Sequence, residues 1–212
     1  MSPEETTGMQ LDEALVALER GLLAEGGPRI STMRNYKFAI VPYRPSDELV
    51  LRRKVRALAD RLRASGFRVL ALSLQRLLLE RLRSLGPDIL STTTAREKRL
   101  WARDPGRALS HLGEVVGPVI EGPDGIAADV IREISAFVDA SPVTEGRSVV
   151  LIGRAGALYP FFRSSALLKH IDGHTRNVPV VLLYPGGRRG RSSLSFMGVL
   201  APDGDYRPRI YP

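Results

Sequence analysis

Four short apolar runs, with helical segments between them, constrain the fold of this chain more than any other feature. The runs lie at residues 38–41, 69–72, 149–152 and 180–183. Parallel strands have this continuous apolar character because helices cover both faces of their sheet. The pattern therefore predicts a three-layer α/β fold, with a mostly parallel sheet flanked by helices.

The first two runs frame an amphipathic helix at about 46–65, which ends at Gly66. This unit predicts a right-handed βαβ crossover whose two strands form a parallel pair. An earlier helix at about 11–23 has leucines at spacings of four and three. We expect two parts: an N-terminal helix and linker at 1–35, and a single α/β domain at 36–212.

The middle of the chain, residues 75–142, is expected to be a helical insertion within that domain. Thr94 and Glu97 match a capping box, which predicts a helix from there to about residue 103. A shorter helix is expected at 108–116, and His111 within it is expected at the surface or at a helix end. The apolar stripes of these helices need the sheet as cover, so the segment is not predicted to fold alone.

The C-terminal third returns to an α/β pattern. A helix is predicted at 157–171, with Pro160 in its first turn. An exposed loop at 186–191 is expected to precede an antiparallel return strand at 193–200. A last short strand at 206–211 would complete an antiparallel C-terminal edge.

The charge of the chain is strongly patterned. The net charge is +8, and residues 26–110 alone carry nineteen bases against seven acids. Such basic faces attract acidic proteins or nucleic acid. The chain has no cysteine, which excludes disulfides, thiolate catalysis and cysteine-ligated metals. The apolar runs are far shorter than a membrane span, and the N-terminus lacks the pattern of a signal peptide, so a cytoplasmic protein is expected.

No motif of high catalytic specificity is present. Arg154 lies in a Gly-Arg-Ala-Gly turn after a strand, where an anion could meet helix N–H groups, but a purely structural turn explains the same pattern. His170 and His174 are four residues apart, yet Gly173 interrupts the helix between them, so no zinc site is predicted. We expect no enzymatic activity, cofactor or metal.

Two further features suggest contacts. Arg188, Arg189 and Arg191 make the 186–191 loop basic enough to bind phosphate, although a solvated hairpin tip fits as well. Tyr159 and Arg163 are four residues apart and would share a helix face. That spacing predicts a partly buried Arg163, bonded to the 184–186 loop or to Tyr206.

Several segments together carry a family resemblance. They are Leu158-Tyr159-Pro160-Phe161, Val178-Pro179-Val180, Tyr184-Pro185-Gly186, Leu194-x-Phe196-x-Gly198 and Tyr206-Arg207. With an N-terminal run from Ile40 to Arg52, they resemble the BrxB family over most of residues 36–210. BrxB is a small component of bacterial BREX phage-exclusion systems.

The resemblance implies a non-enzymatic adaptor in an anti-phage complex. Its expected partner is the alkaline-phosphatase-like PglZ component, and the large BREX ATPase is a second expected partner. The residues that we expect to contact a partner or an anion are Arg154, Tyr159, Arg163, Arg188, Arg189, Arg191, Tyr206 and Arg207.

Two alternatives remain open from the residues themselves. The arginine-rich face of the 47–65 helix is compatible with nucleic-acid binding, and weak non-specific DNA binding is expected at this net charge. A degenerate nucleotide-binding domain is the other alternative. It would use the switch point of the sheet, where the loops after Val41, Leu72, Ile152 and Tyr184 converge.

Overall fold

A mostly parallel sheet forms the centre of the protein, as the four apolar runs predict. The computed structural model describes residues 3–30, 37–122, 124–140, 147–162, 164–189, 193–201 and 208–212. The strands in these ranges are β1 (Phe38–Tyr43), β2 (Arg68–Ser73), β3 (Ser148–Gly153), β4 (Val180–Arg189), β5 (Ser193–Phe196) and β6 (Arg209–Ile210). The α-helices there are α1 (Pro3–Leu22), α2 (Glu48–Ala64), α3 (Leu74–Ser84), α4 (Pro87–Trp101), α5 (Pro105–Ile120), α6 (Ile126–Asp139) and α7 (Ser164–Ile171).

The order of the strands differs from the predicted one. It is β2-β3-β4-β1-β6, and every neighbouring pair along this path is parallel. The prediction that β1 and β2 pair directly is wrong, because β3 and β4 lie between them. Pattern alone did not reveal this order, since strands that are adjacent in sequence need not be adjacent in the sheet.

Alternating side chains of the strands pack into two separate cores, one on each face of the sheet. The first core contains Ile40, Ile152 and Leu182, together with residues of α3, α6 and α7. The second contains Val41 and Leu151, together with α1 and α2. Helices therefore cover both faces, which confirms the three-layer α/β fold.

Two of the four helices between β2 and β3, α4 and α5, begin at prolines. Pro87 is in the first turn of α4 and Pro105 is in that of α5, where a missing N–H costs nothing. The predicted start at Thr94 is wrong, since this residue lies inside α4. The predicted helix at 108–116 is part of a longer one, and the Asp104 side chain caps that helix by accepting from the N–H groups of Gly106 and Arg107.

The buried carboxylate of Asp129 connects two helices of this segment, α3 and α6. Asp129 of α6 is 5% exposed and accepts hydrogen bonds from Arg81 of α3 and from Arg132. Arg81 also donates to the backbone carbonyl of Gly125, at 2.7 Å. His111, expected at the surface or a helix end, is instead buried within α5.

The C-terminal third differs from the prediction in three places. The predicted helix at 157–171 is two shorter helices, a 3-10 helix at Ala155–Leu158 and α7, and the Tyr159–Pro160 peptide bond between them is cis. Residues 186–189, expected in a loop, extend β4 and pair with the antiparallel β5. The last strand, β6, is parallel to β1, so β5 is the only antiparallel strand among those that the structure describes.

None of the helices in the described ranges combines the length and the apolar character needed to cross a bilayer.

Candidate partner-binding site

The carboxyl ends of β1, β2 and β3 meet at Arg154. This residue follows β3 in the left-handed backbone conformation, with φ 64°. Its Nε donates to Oε1 of Gln75 in α3, and its Nη1 donates to Oε1 of Glu48 in α2, each at 3.0 Å. One guanidinium therefore joins the segments that follow three different strands.

Tyr43 completes this cluster from the end of β1. Its hydroxyl donates to Oε2 of Glu48, so both oxygens of that carboxylate are hydrogen-bonded. Burial, followed by the hydrogen bond to Glu48, raises the pKa of Tyr43 well above its ordinary value. The hydroxyl thus stays protonated as a donor. Because Arg154 is bound to Glu48 and Gln75, we interpret it as a structural connector at the switch point.

Replacing Arg154 with alanine is expected to lower the free energy of unfolding by about 2 kcal/mol, because Glu48 and Gln75 lose a charged donor while only partly exposed. Chemical denaturation measures this change. Arg176→Ala is the matched control, since Arg176 also has positive φ but makes one ion pair with exposed groups, to Asp139. An equal loss in both variants would mean that the backbone conformation, and not the Arg154 cluster, decides stability.

A second cluster forms around Phe196 of β5. The centroid of its ring lies 5.5 Å from that of Tyr184, 5.9 Å from that of Phe162 and 6.4 Å from that of Tyr159. These aromatic rings come from β4, β5 and the turn before α7. Three of the segments that carry the family resemblance thus pack against one another.

The backbone fixes how these segments meet. The N–H of Met197 donates to the carbonyl of Pro185 at 2.7 Å, and the N–H of Val199 donates to the carbonyl of Phe196 at 3.1 Å. At Gly186 a Cβ atom would lie 2.1 Å from the carbonyl oxygen of Ser195. Only glycine fits there. This contact explains why a glycine follows Tyr184 and Pro185 in that segment.

Several apolar side chains next to the Phe196 cluster are exposed to solvent. Tyr159 is 37% exposed, Val199 is 70% exposed, and Met197, which follows Phe196 in sequence, is partly buried. We call these three residues the Tyr159 surface. Its backbone is held by the Phe196 cluster, so it presents apolar groups from a fixed support. The sequence identified Tyr159 through the family segments, whereas no local pattern pointed to Met197 or Val199.

The other predicted contact residues lie in different places. Arg188 is exposed on β4 opposite Leu194, two residues after Gly186. Arg189 ends β4. Four predicted residues lie outside the described residues: Arg163, Arg191, Tyr206 and Arg207. The proposed helix face shared by Tyr159 and Arg163 is not formed as predicted, because Tyr159 lies outside any helix.

No metal centre is found in the part of the chain that the structure describes, where histidine and acidic residues form no group of three or more able to hold an ion. His170 is at the end of α7 and His174 lies beyond it, with Gly173 at positive φ between them. The ring of His174 hydrogen-bonds to the backbone carbonyl of Asp172.

Comparison with known proteins gives one family. The model of the BrxB family, described as BREX protein BrxB, matches residues 70–210. This range includes the Phe196 cluster and Arg154, and it begins after the N-terminal run from Ile40 to Arg52. No curated protein and no solved structure matches the chain.

Proposed function

The chain belongs to the BrxB family and is a component of a BREX system, and from this premise we propose that it is a non-enzymatic adaptor. It would act in the cytoplasm by binding the PglZ-like component of the same system. The large BREX ATPase is the second partner that we propose.

The Tyr159 surface is the observation that supports this role. Exposed apolar groups on a rigid frame are typical of protein-binding sites, and tyrosine is enriched among the residues that dominate binding energy. The family segments hold this surface in place through Phe196, Tyr184 and Gly186. Segments that build an exposed apolar surface suit a protein whose role is to hold a partner.

Capture of the purified PglZ-like protein by the tagged chain tests this proposal. Tyr159→Asp combined with Val199→Asp is expected to weaken binding at least tenfold, because charges replace the apolar contacts. Ile89→Asp is the control, since Ile89 is 50% exposed but lies on α4. The binding is measured at physiological salt, with thermal unfolding as a check of folding.

Two outcomes would contradict the proposal. Capture that is unchanged in the double variant would show that the Tyr159 surface is not the contact. Submicromolar DNA binding at physiological salt, without capture of the PglZ-like protein, would instead favour the nucleic-acid alternative.

A further inference from the structure

Helix α2 has two charged flanks, and among the described residues another helix covers only one of them. On the covered flank, Lys54 pairs with Asp12 of α1, and Arg61 pairs with Glu19 of α1 through two hydrogen bonds of 2.8 Å. The two paired residues of α1 are seven positions apart, as are those of α2, and they follow the same order along the chain. Helix α1 therefore runs parallel to α2. An acidic amphipathic helix thus already lies along one side of α2.

The second flank carries Arg52, Arg56 and Arg63. At 100° per residue these three lie about 180° around the helix from Lys54 and Arg61, and they extend about 16 Å along its axis. All three are exposed. Arg63 pairs with Asp60 of its own helix at 2.9 Å. Within the described ranges, no carboxylate pairs with Arg52 or Arg56.

A groove of about 450 Å³ lies between this flank and the sheet. Its apolar floor is formed by Val55 and Ala59 of α2, Ala71 of β2, Leu151 of β3 and Leu183 of β4. β2 is the edge strand of the sheet, and Ala71 on it is exposed. The helix layer on this face thus leaves a position open beside α2, above the edge of the sheet.

The guanidinium groups at the mouth of the groove favour an occupant with negative charge. Arg52, Arg56, Arg63 and Arg154 line the mouth, and Glu48 is the only carboxylate among the lining residues. Glu48 is already bound to Arg154 and Tyr43. An occupant therefore meets a net positive rim above an apolar floor.

We propose that this groove binds an acidic amphipathic helix of a partner protein, which lies along α2 as α1 does on the opposite flank. Its carboxylates would face Arg52, Arg56 and Arg63, at spacings of four and seven residues. Its aliphatic residues would cover Ala71 and Val55, the two residues of the floor that are not already buried. A nucleic-acid backbone matches the arginines but offers nothing apolar to this floor, so the observations favour a protein helix.

This groove is separate from the Tyr159 surface. Leu151 and Leu183 on its floor belong to the second core, whereas Phe196 belongs to the first, on the other face of the sheet. The two sites are tested with different variants. Failure of one proposal therefore leaves the other standing.

A labelled synthetic peptide is the first probe. It is a stapled helix with glutamates at positions i, i+4 and i+11 and leucines on the adjacent face, and a lysine-for-glutamate version is the control peptide. We expect the acidic peptide to bind, and the triple variant Arg52→Glu, Arg56→Glu, Arg63→Glu to weaken that binding at least tenfold. The matched triple Arg53→Glu, Arg96→Glu, Arg99→Glu makes the same charge change at positions that do not line the groove and is expected to weaken the binding less than threefold.

Cysteine labelling is the second probe, and it leaves the arginines intact. The chain has no cysteine, so Ala71→Cys places a single thiol on the groove floor. The acidic peptide at saturation is expected to slow maleimide labelling of this variant at least tenfold. Ala57→Cys, at an exposed position of α2 outside the groove, is expected to label at an unchanged rate.

Three results would overturn the proposal. One is the absence of acidic-peptide binding to the wild-type chain. Another is an equal loss in the two triple variants, which would indicate unspecific charge attraction. The third is protection of Ala71→Cys by a DNA duplex and not by the peptide, which would assign the groove to nucleic acid.

Discussion

Replacing Tyr211 with alanine is expected to lower the free energy of unfolding by about 4 kcal/mol, as is typical when a large buried ring is removed. Tyr211 is 0% exposed and belongs to the second core with α1 and α2. Its N–H donates to the carbonyl of Ile40 at 2.9 Å, so ring and backbone both fix the chain after β6. Denaturation by urea, followed by circular dichroism, measures the change.

Tyr211→Phe separates the ring from its hydroxyl. That oxygen is buried and has no hydrogen-bond partner among the described residues. Burial also raises the pKa of Tyr211. Removing a buried, unpaired hydroxyl is nearly neutral or slightly stabilising, so this variant is expected to unfold at or above the wild-type midpoint. A loss in Tyr211→Phe as large as that in Tyr211→Ala would show that the hydroxyl, and not the ring, stabilises the core.

Gly186→Ala is expected to cost about 4 kcal/mol, through backbone strain and overpacking together. Gly186 has φ 156°, and its added Cβ would lie 2.1 Å from the carbonyl oxygen of Ser195 and 2.8 Å from the ring of Tyr184. Since neither can withdraw without moving the β4–β5 pair, the Tyr159 surface should lose its support as well. We expect both a lower unfolding midpoint and weaker capture of the PglZ-like protein.

Gly187→Ala provides the matched control one residue away. A Cβ at Gly187 would meet no atom within 4 Å, and the residue is exposed. Its substitution is expected to change the unfolding midpoint by less than 1 °C and to leave capture intact. Equal effects at both glycines would mean that flexibility of the hairpin, and not the contact at Gly186, decides stability.

The strands were predictable because their signal is local. A run such as Val149 to Ile152 is apolar on both faces, and this already implies helices above and below. Strand order was not predictable in the same way. The pairing of β1 with β4 and β6 depends on contacts between distant parts of the chain, and the residues of β1 carry no mark of their neighbours.

In the candidate site, too, residues with a local signal were predictable and residues placed by distant contacts were not. Tyr159 could be named in advance because a family segment contains it, whereas Val199 became part of the surface only through the packing of Phe196. In the sequence, the turn at Arg154 was compatible with an anion contact or with a purely structural role, and the bonds of Arg154 to Glu48 and Gln75 depend on where α2 and α3 begin. The prediction of a single helix at 157–171 was wrong, because its apolar spacing continues across the turn at Tyr159 and Pro160. Tertiary packing, and not a local pattern, determines that turn.

The position of β1 between β4 and β6 has a consequence for synthesis of the protein. Ala39 leaves the ribosome long before one of its sheet neighbours, Arg209, which follows it by 170 positions in the chain. Until β4 and β6 have been made, the apolar strand β1 is unpaired on both edges. Such long-range pairing slows folding. We therefore expect nascent chains of this protein to expose this apolar strand to chaperones until β4 and β6 have been made.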